Sequence, residues 1–205
     1  MKDPIPVNLA IEDALSEFVL VKVLESLGTF AIGARYSKGG FGYLKKSIRG
    51  FNNASKGTPF VVLTDLDTYP CPSALITEWL PVPQHPNLLF RIAVREVEAW
   101  VMAHRNEFAK FMRVGLSDVP SQPDLLPDPK AKLIELARQS KSRDIRDDIV
   151  PPPNSKRTVG PNYNGRLGAF VVGHWKLNEA AQCSPSLERT WKRLAAFAPS
   201  WNVEG

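Results

Sequence analysis

FVVLTDLDTYPCP, residues 60–72, is the stretch on which the reading of this chain turns. Four apolar residues and a threonine lead into Asp65 and Asp67, and Pro70 and Pro72 then prevent the chain from continuing as strand or helix. A short apolar run bounded in this way reads as a strand buried on both faces, the kind found inside a parallel sheet. In an open parallel sheet, ligands bind beyond the carboxyl ends of the strands, so residues that close a strand face the site. Side chains two apart in an extended chain share a face, which would put Asp65 and Asp67 on one side, able to share a cation.

Outward from this strand, short apolar runs alternate with amphipathic stretches, the pattern of βα units around a parallel sheet. Residues 7–12, VNLAIE, read as a buried strand, followed by a helix opened by Asp13 that carries Leu15, Val19, Val23, Leu24 and Leu27 and stops at Gly28. TFAIGARY reads as a second strand, and KGGFGYLKKSIRGFNNASKG as a glycine-rich turn and a basic helix ending near Gly57. After the strand at residues 60–67 come a short helix in SALITEWL and a strand at residues 87–94. A helix beginning between Arg95 and Val97 then carries Trp100, Phe108 and Phe111. Beyond Met112 the texture changes to proline-rich and polar, then to helical patterns in KAKLIELARQS, RDIRDDIV, YNGRLGAFVVGHW and SLERTWKRLAAF, with PPPNSKRTVGPNYNG as an exposed loop. The expected architecture is an α/β domain over residues 1–112, with a mostly parallel sheet of about four strands, and a mainly helical extension over residues 113–205.

Three of the strands close on acid: Glu12, followed by Asp13; Asp65 and Asp67; and Glu96 with Glu98. Grouped carboxylates are costly unless protons or a cation neutralise them, and hard oxygen ligands suit Mg²⁺ or Mn²⁺, which take substrate phosphate as further ligands. The implied chemistry is phosphoryl transfer or phosphodiester cleavage. Each acid also has a plainer reading. Asp13 suits a helix cap, and Arg91, Arg95 or Arg105 could pair with one of the two later glutamates. If the helix has begun by Glu96, Glu96 and Glu98 diverge by about 200°, and only one can face the site.

A glutamate ending the first strand, Asp-x-Asp ending a later one and a downstream glutamate opening a helix resemble a TOPRIM domain, the Mg²⁺-binding module of topoisomerases, primases and OLD-type nucleases. VVLTDLD with REVEAWVMAHR is similar, more closely, to small TOPRIM-like proteins found beside ATPases in bacterial anti-phage systems. The resemblance implies a TOPRIM-like Rossmannoid fold and a Mg²⁺-dependent nuclease acting in defence with an ATPase partner; between the nucleic acids DNA is favoured over RNA, and the sequence leaves that choice open. It matches Glu12, Asp65, Asp67 and Glu98 to the catalytic, metal-binding acids, with Glu98 a better match than Glu96. Asp13 departs from the pattern, since many TOPRIM sequences have glycine there.

Other features add or exclude. A formal charge of +5 and a pI near 9.3 favour an anionic partner such as nucleic acid. The glycine turn before a helix, with Lys38, Lys45, Lys46 and Arg49, suits phosphate but is not a Walker loop. Lys156, Arg157, Tyr163 and Arg166 lie where they could grip a nucleic-acid backbone and stack a base. The isolated Cys71 and Cys183, the absence of a signal-peptide pattern and the lack of a run near the roughly 18 apolar residues that span a bilayer point to a cytoplasmic protein. His85, His104 and His174 have no metal-ligand spacing, and Trp79, Trp100, Trp175 and Trp191 read as packing anchors. Two rivals to the nuclease stand beside it. One is a haloacid-dehalogenase-like phosphatase, whose Asp-x-Asp-x-Thr/Val pattern departs from Thr68 and Tyr69 here. The other is a non-catalytic subunit of an ATPase complex.

Overall fold

A computed structural model describes residues 3–37 and 39–201. Four parallel strands, β1 (Ile5–Ile11), β2 (Phe30–Tyr36), β3 (Phe60–Asp65) and β4 (Leu88–Ala93), form one sheet in the order β2-β1-β3-β4. Helices α1 (Ala14–Leu27), α2 (Gly40–Ala54) and α3 (Pro72–Trp79) make the crossovers, a Rossmann-like α/β arrangement as the alternating pattern predicts. All six residues of β3 are buried, which explains its continuous apolar run. The edge strand β2 is largely exposed, and its sequence is correspondingly mixed.

Local chemistry sets the element ends. Asp13 caps α1, its Oδ1 accepting the Ser16 N–H at 2.8 Å, and Gly28 ends the helix at φ 65°, where a side chain would be strained. A bulge interrupts the pairing of β1 with β2 between Val7 and Leu9. There the Asn8 side chain accepts the Ala34 N–H at 2.9 Å. Gly33 makes room for it, because a Cβ at that position would lie 2.8 Å from Asn8 Oδ1.

The chain divides into two compact units. The first runs to Ala93 and resumes at Arg189, and the second is Val94–Glu188. The division falls at 93/94, ahead of the change of texture at residue 112, and the last segment belongs to the first unit. In that unit Phe197 stacks on Phe30 with ring centroids 6.2 Å apart, and the Asn87 side chain binds the Ser200 backbone through both its amide atoms, at 2.8 and 2.7 Å.

Among the described residues the second unit is helical: α4 (Val97–Ala103), α5 (Arg105–Met112), α6 (Pro129–Gln139), α7 (Arg143–Ile149), α8 (Tyr163–Gly173), α9 (Leu177–Ala181) and the start of α10 (Pro185–Ala195). The expected single helix after β4 is two, broken at His104. All seven residues of α4 are buried. Trp100 donates its ring N–H to Ser186 Oγ at 2.6 Å, and Trp175 donates to the Trp100 carbonyl at 3.0 Å. These indoles are anchored at both their apolar and polar ends. No helix among the described residues is long and apolar enough to cross a membrane.

Candidate functional site

The carboxyl ends of the two central strands bring acids together within the first unit. Ile11 is level with Leu63 in the β1–β3 register, so the next step along places Glu12 beside Thr64. The Thr64 hydroxyl donates to Glu12 Oε2 at 3.0 Å, and the Asp65 backbone N–H also donates to this carboxylate. Burial pushes the Glu12 pKa up; the Thr64 hydrogen bond pulls it down, and the neighbouring charges of Asp67 and Asp13 push it up again. Among the described residues, the charges that act on Glu12 are those of Asp67 and Asp13.

Asp65 is buried at the last position of β3, and Asp67 is half-buried beyond it. The shared face expected from an extended Asp-x-Asp is not what forms. The strand stops at Asp65, and Asp67 takes a left-handed backbone at φ 48° in a turn where the Tyr69 N–H donates to the Leu66 carbonyl at 3.0 Å. The turn nevertheless keeps Asp67 close enough to Glu12 to raise its pKa. The donors are hard oxygens suited to Mg²⁺ or Mn²⁺, and the mutual repulsion is of the kind a divalent cation removes. Among the described residues, no three His, Cys, Asp or Glu side chains already lie at metal-holding spacing.

The two later glutamates belong to the second unit and are built differently. Glu96 is the residue before α4, and its Oε2 accepts the Lys130 backbone N–H at 2.7 Å. With Asp128, which accepts the Ala131 N–H at 2.7 Å, it caps the start of α6. Glu98 lies in the first turn of α4 and is 1% exposed. Its Oε1 accepts the Tyr163 hydroxyl at 2.9 Å and lies 3.6 Å from Lys130 Nζ, while its Oε2 is buried with no hydrogen-bond partner. Burial lifts Glu98 to about 7; Lys130 opposes the lift and Glu96 adds to it.

Lys130 lies beside both glutamates, 3.7 Å from Glu96 and 3.6 Å from Glu98. Of the arginines considered from sequence, Arg105 donates to the carbonyls of Leu116 and Val119 instead. Neither Lys130 nor Tyr163 carries a local sequence signal, because their hydrogen-bonding partners are 34 and 65 residues away. Tyr163 is buried, so it is not an exposed platform for a base.

The basic residues differ in availability. Lys38 lies outside the described residues. Lys45 pairs with Glu78 at 2.6 Å, and Tyr69 donates to the same glutamate oxygen at 2.8 Å. Lys46 is exposed, as is Arg157. Arg157 lines a cavity of about 500 Å³ with Lys156, Asn162 and Tyr163. Arg166 is committed to Asp148.

No protein-family model, curated protein or solved structure matches this chain. The class that fold and geometry define is an α/β protein with a four-stranded parallel sheet and acids at the carboxyl ends of its central strands.

Proposed function

We propose that this protein is a nuclease that hydrolyses phosphodiester bonds with Mg²⁺ or Mn²⁺, with DNA as the favoured substrate. The observation that carries the reading is the placement of Glu12, Asp65 and Asp67 at the carboxyl ends of β1 and β3, where the charges of Asp67 and Asp13 bear on Glu12. Glu12, Asp65 and Asp67 would hold the cation, which when bound supplies a Lewis acid for water attack and for charge on the leaving oxygen. Thr64 and the Asp65 N–H orient the Glu12 carboxylate, a supporting contact of the kind that fixes metal ligands. Lys46 and Arg157, exposed on their respective units, offer charge to the substrate backbone. Glu98 offers a buried oxygen without a partner, a place for a proton or a cation, whereas the described contacts of Glu96 are structural.

The place in anti-phage defence and the ATPase partner rest on the resemblance to TOPRIM-like proteins. The test is cleavage of single- and double-stranded DNA and RNA with Mg²⁺, Mn²⁺ or EDTA, alone and with a candidate ATPase partner. The expected result is cleavage of DNA that needs metal and is lost in Asp65→Asn. Cleavage that persists in EDTA, or full activity in Asp65→Asn and Asp67→Asn, would overturn the reading. A phosphatase would instead release phosphate from monoesters and leave strands intact.

A further inference from the structure

Arg91 sits in the middle of edge strand β4, where arginine is out of keeping with Leu88, Leu89, Phe90, Ile92 and Ala93. Its neighbour Phe90 packs against Trp79 of α3, with ring centroids 5.8 Å apart. Alternation along a strand sends Arg91 to the opposite face of the sheet. There it meets positive charge: its pKa is lowered first by burial and then by Arg193 and Arg189, both in the part of α10 that belongs to the same unit. Arg189 and Arg193 are four apart and so share one side of the helix, next to the seam formed by buried Thr190 and Leu194.

Arg189 and Arg193 are thus near enough to Arg91 for their charge to act on it, and among the described residues none of the three has a carboxylate partner within ion-pair distance. The Arg91 Nε–H is buried and, among the described residues, donates to no acceptor. A buried donor without an acceptor costs about 1–3 kcal/mol, and more on a charged group, so the native state carries a penalty that an anion would remove. Guanidinium forks match the oxygens of phosphate, each able to donate two parallel hydrogen bonds.

We propose that Arg91, Arg189 and Arg193 form a binding site for a phosphate group, with Arg91 as the half-buried anchor and the helix arginines as exposed arms. The proposal does not rest on the nuclease reading. The phosphate can come from a phosphodiester within a strand or from a free or terminal phosphate, and the two sources are separable.

The experiment follows the melting temperature of the full chain in EDTA, titrated with inorganic phosphate against potassium chloride of equal ionic strength. A rise of about 3–6 °C at saturating phosphate is expected, and it should vanish when Arg189→Gln and Arg193→Gln are combined. Both positions are exposed, so this variant should fold. Arg91→Met should lose the response too, and without phosphate should melt no lower than wild type, because the orphaned donor has gone. Parallel titrations with an oligonucleotide bearing or lacking a terminal phosphate assign the source. Protection by both oligonucleotides supports an internal phosphodiester, and protection by only the phosphorylated one supports a terminal phosphate. No rise with any of the three probes, or an equal rise in wild type and the double variant, overturns the proposal.

Discussion

Glu12 and Glu98 are both glutamates whose charge is opposed by burial, yet the groups around them are of opposite kinds. Glu12 closes a strand at the sheet's carboxyl edge, where the neighbouring charges of Asp67 and Asp13 add to its difficulty. Glu98 is packed inside a helical unit, where Lys130 and the Tyr163 hydroxyl relieve it. An acid with its own cation is largely provided for by the fold. One surrounded by acids depends on protons or on a cation from solution, and protons are scarce at neutral pH. The difference identifies the strand-end group as the better candidate for metal chemistry and marks Glu98 as the carboxylate most sensitive to pH.

Removing charge at the strand ends should have the largest effect. Glu12→Gln, Asp65→Asn and Asp67→Asn are each expected to lower metal-dependent cleavage by about a hundredfold or more, since even supporting residues around a metal cost about 10- to 100-fold. None should lower the melting temperature in EDTA, because repulsion is relieved. A variant that loses activity and also melts well below wild type would show that the acid holds the fold together, and the contrast with Glu98 would collapse.

A second pair of variants sharpens the comparison from the other side. Glu98→Gln is expected to lower metal-dependent activity less than the strand-end variants do, and Glu96→Gln less still. The readout that separates chemistry from architecture is a Mg²⁺ titration in each. A lost ligand raises the Mg²⁺ requirement, whereas a lost cap on α6 lowers the melting temperature without changing that requirement. If Glu96→Gln is inactive and Glu98→Gln active, the orphaned Glu98 oxygen has no part in the chemistry.

The pattern of what the chain disclosed follows from the range of each interaction. β3 was legible because a strand buried on both faces is apolar throughout, and the Asp13 cap because a cap and its helix are adjacent. The direction of Asp67 was not, since a left-handed turn residue breaks the two-residue period on which the shared-face argument depended. The division between Ala93 and Val94 leaves no local mark either. The buried helix α4 follows β4 without a change of composition, and the return of the chain at Arg189 is fixed by long-range contacts such as Asn87 with Ser200. Lys130, Tyr163 and the pairing of Lys45 with Glu78 are likewise invisible to local pattern.

The pH dependence of stability comes next in size. The folded Glu98 binds its proton up to about pH 7, whereas the unfolded chain releases it near 4.5, as an ordinary glutamate does. The folded state therefore holds more protons in this window, and stability must fall as pH rises through it. The groups facing Glu98 are Lys130, Glu96 and Tyr163. In EDTA the melting temperature should fall by several degrees between about pH 4.5 and 7 on this account, with the full contribution present only below that range. Glu98→Gln should flatten this part of the profile. An unchanged slope in Glu98→Gln would assign the titration to another group.

The smallest expected effect separates two adjacent lysines. Lys45 and Lys46 follow one another on α2, and neighbours on a helix point about 100° apart. Lys45 is held 2.6 Å from Glu78, and its pKa is raised by that hydrogen bond, so bringing it to a phosphate would first require breaking the pair. Lys46 is exposed and has no such contact among the described residues. Binding of an oligonucleotide measured over a range of salt counts the counterions released, and each phosphate contact contributes close to one unit of slope on a duplex. Lys46→Ala should therefore lower the slope by about 0.9, with a matching loss of affinity at low salt. Lys45→Ala should change it little, because it leaves Glu78 uncovered and removes no free charge from the surface. Equal losses in the two variants would mean that nucleic acid displaces Glu78, and no change in either would make this helix a solvated face.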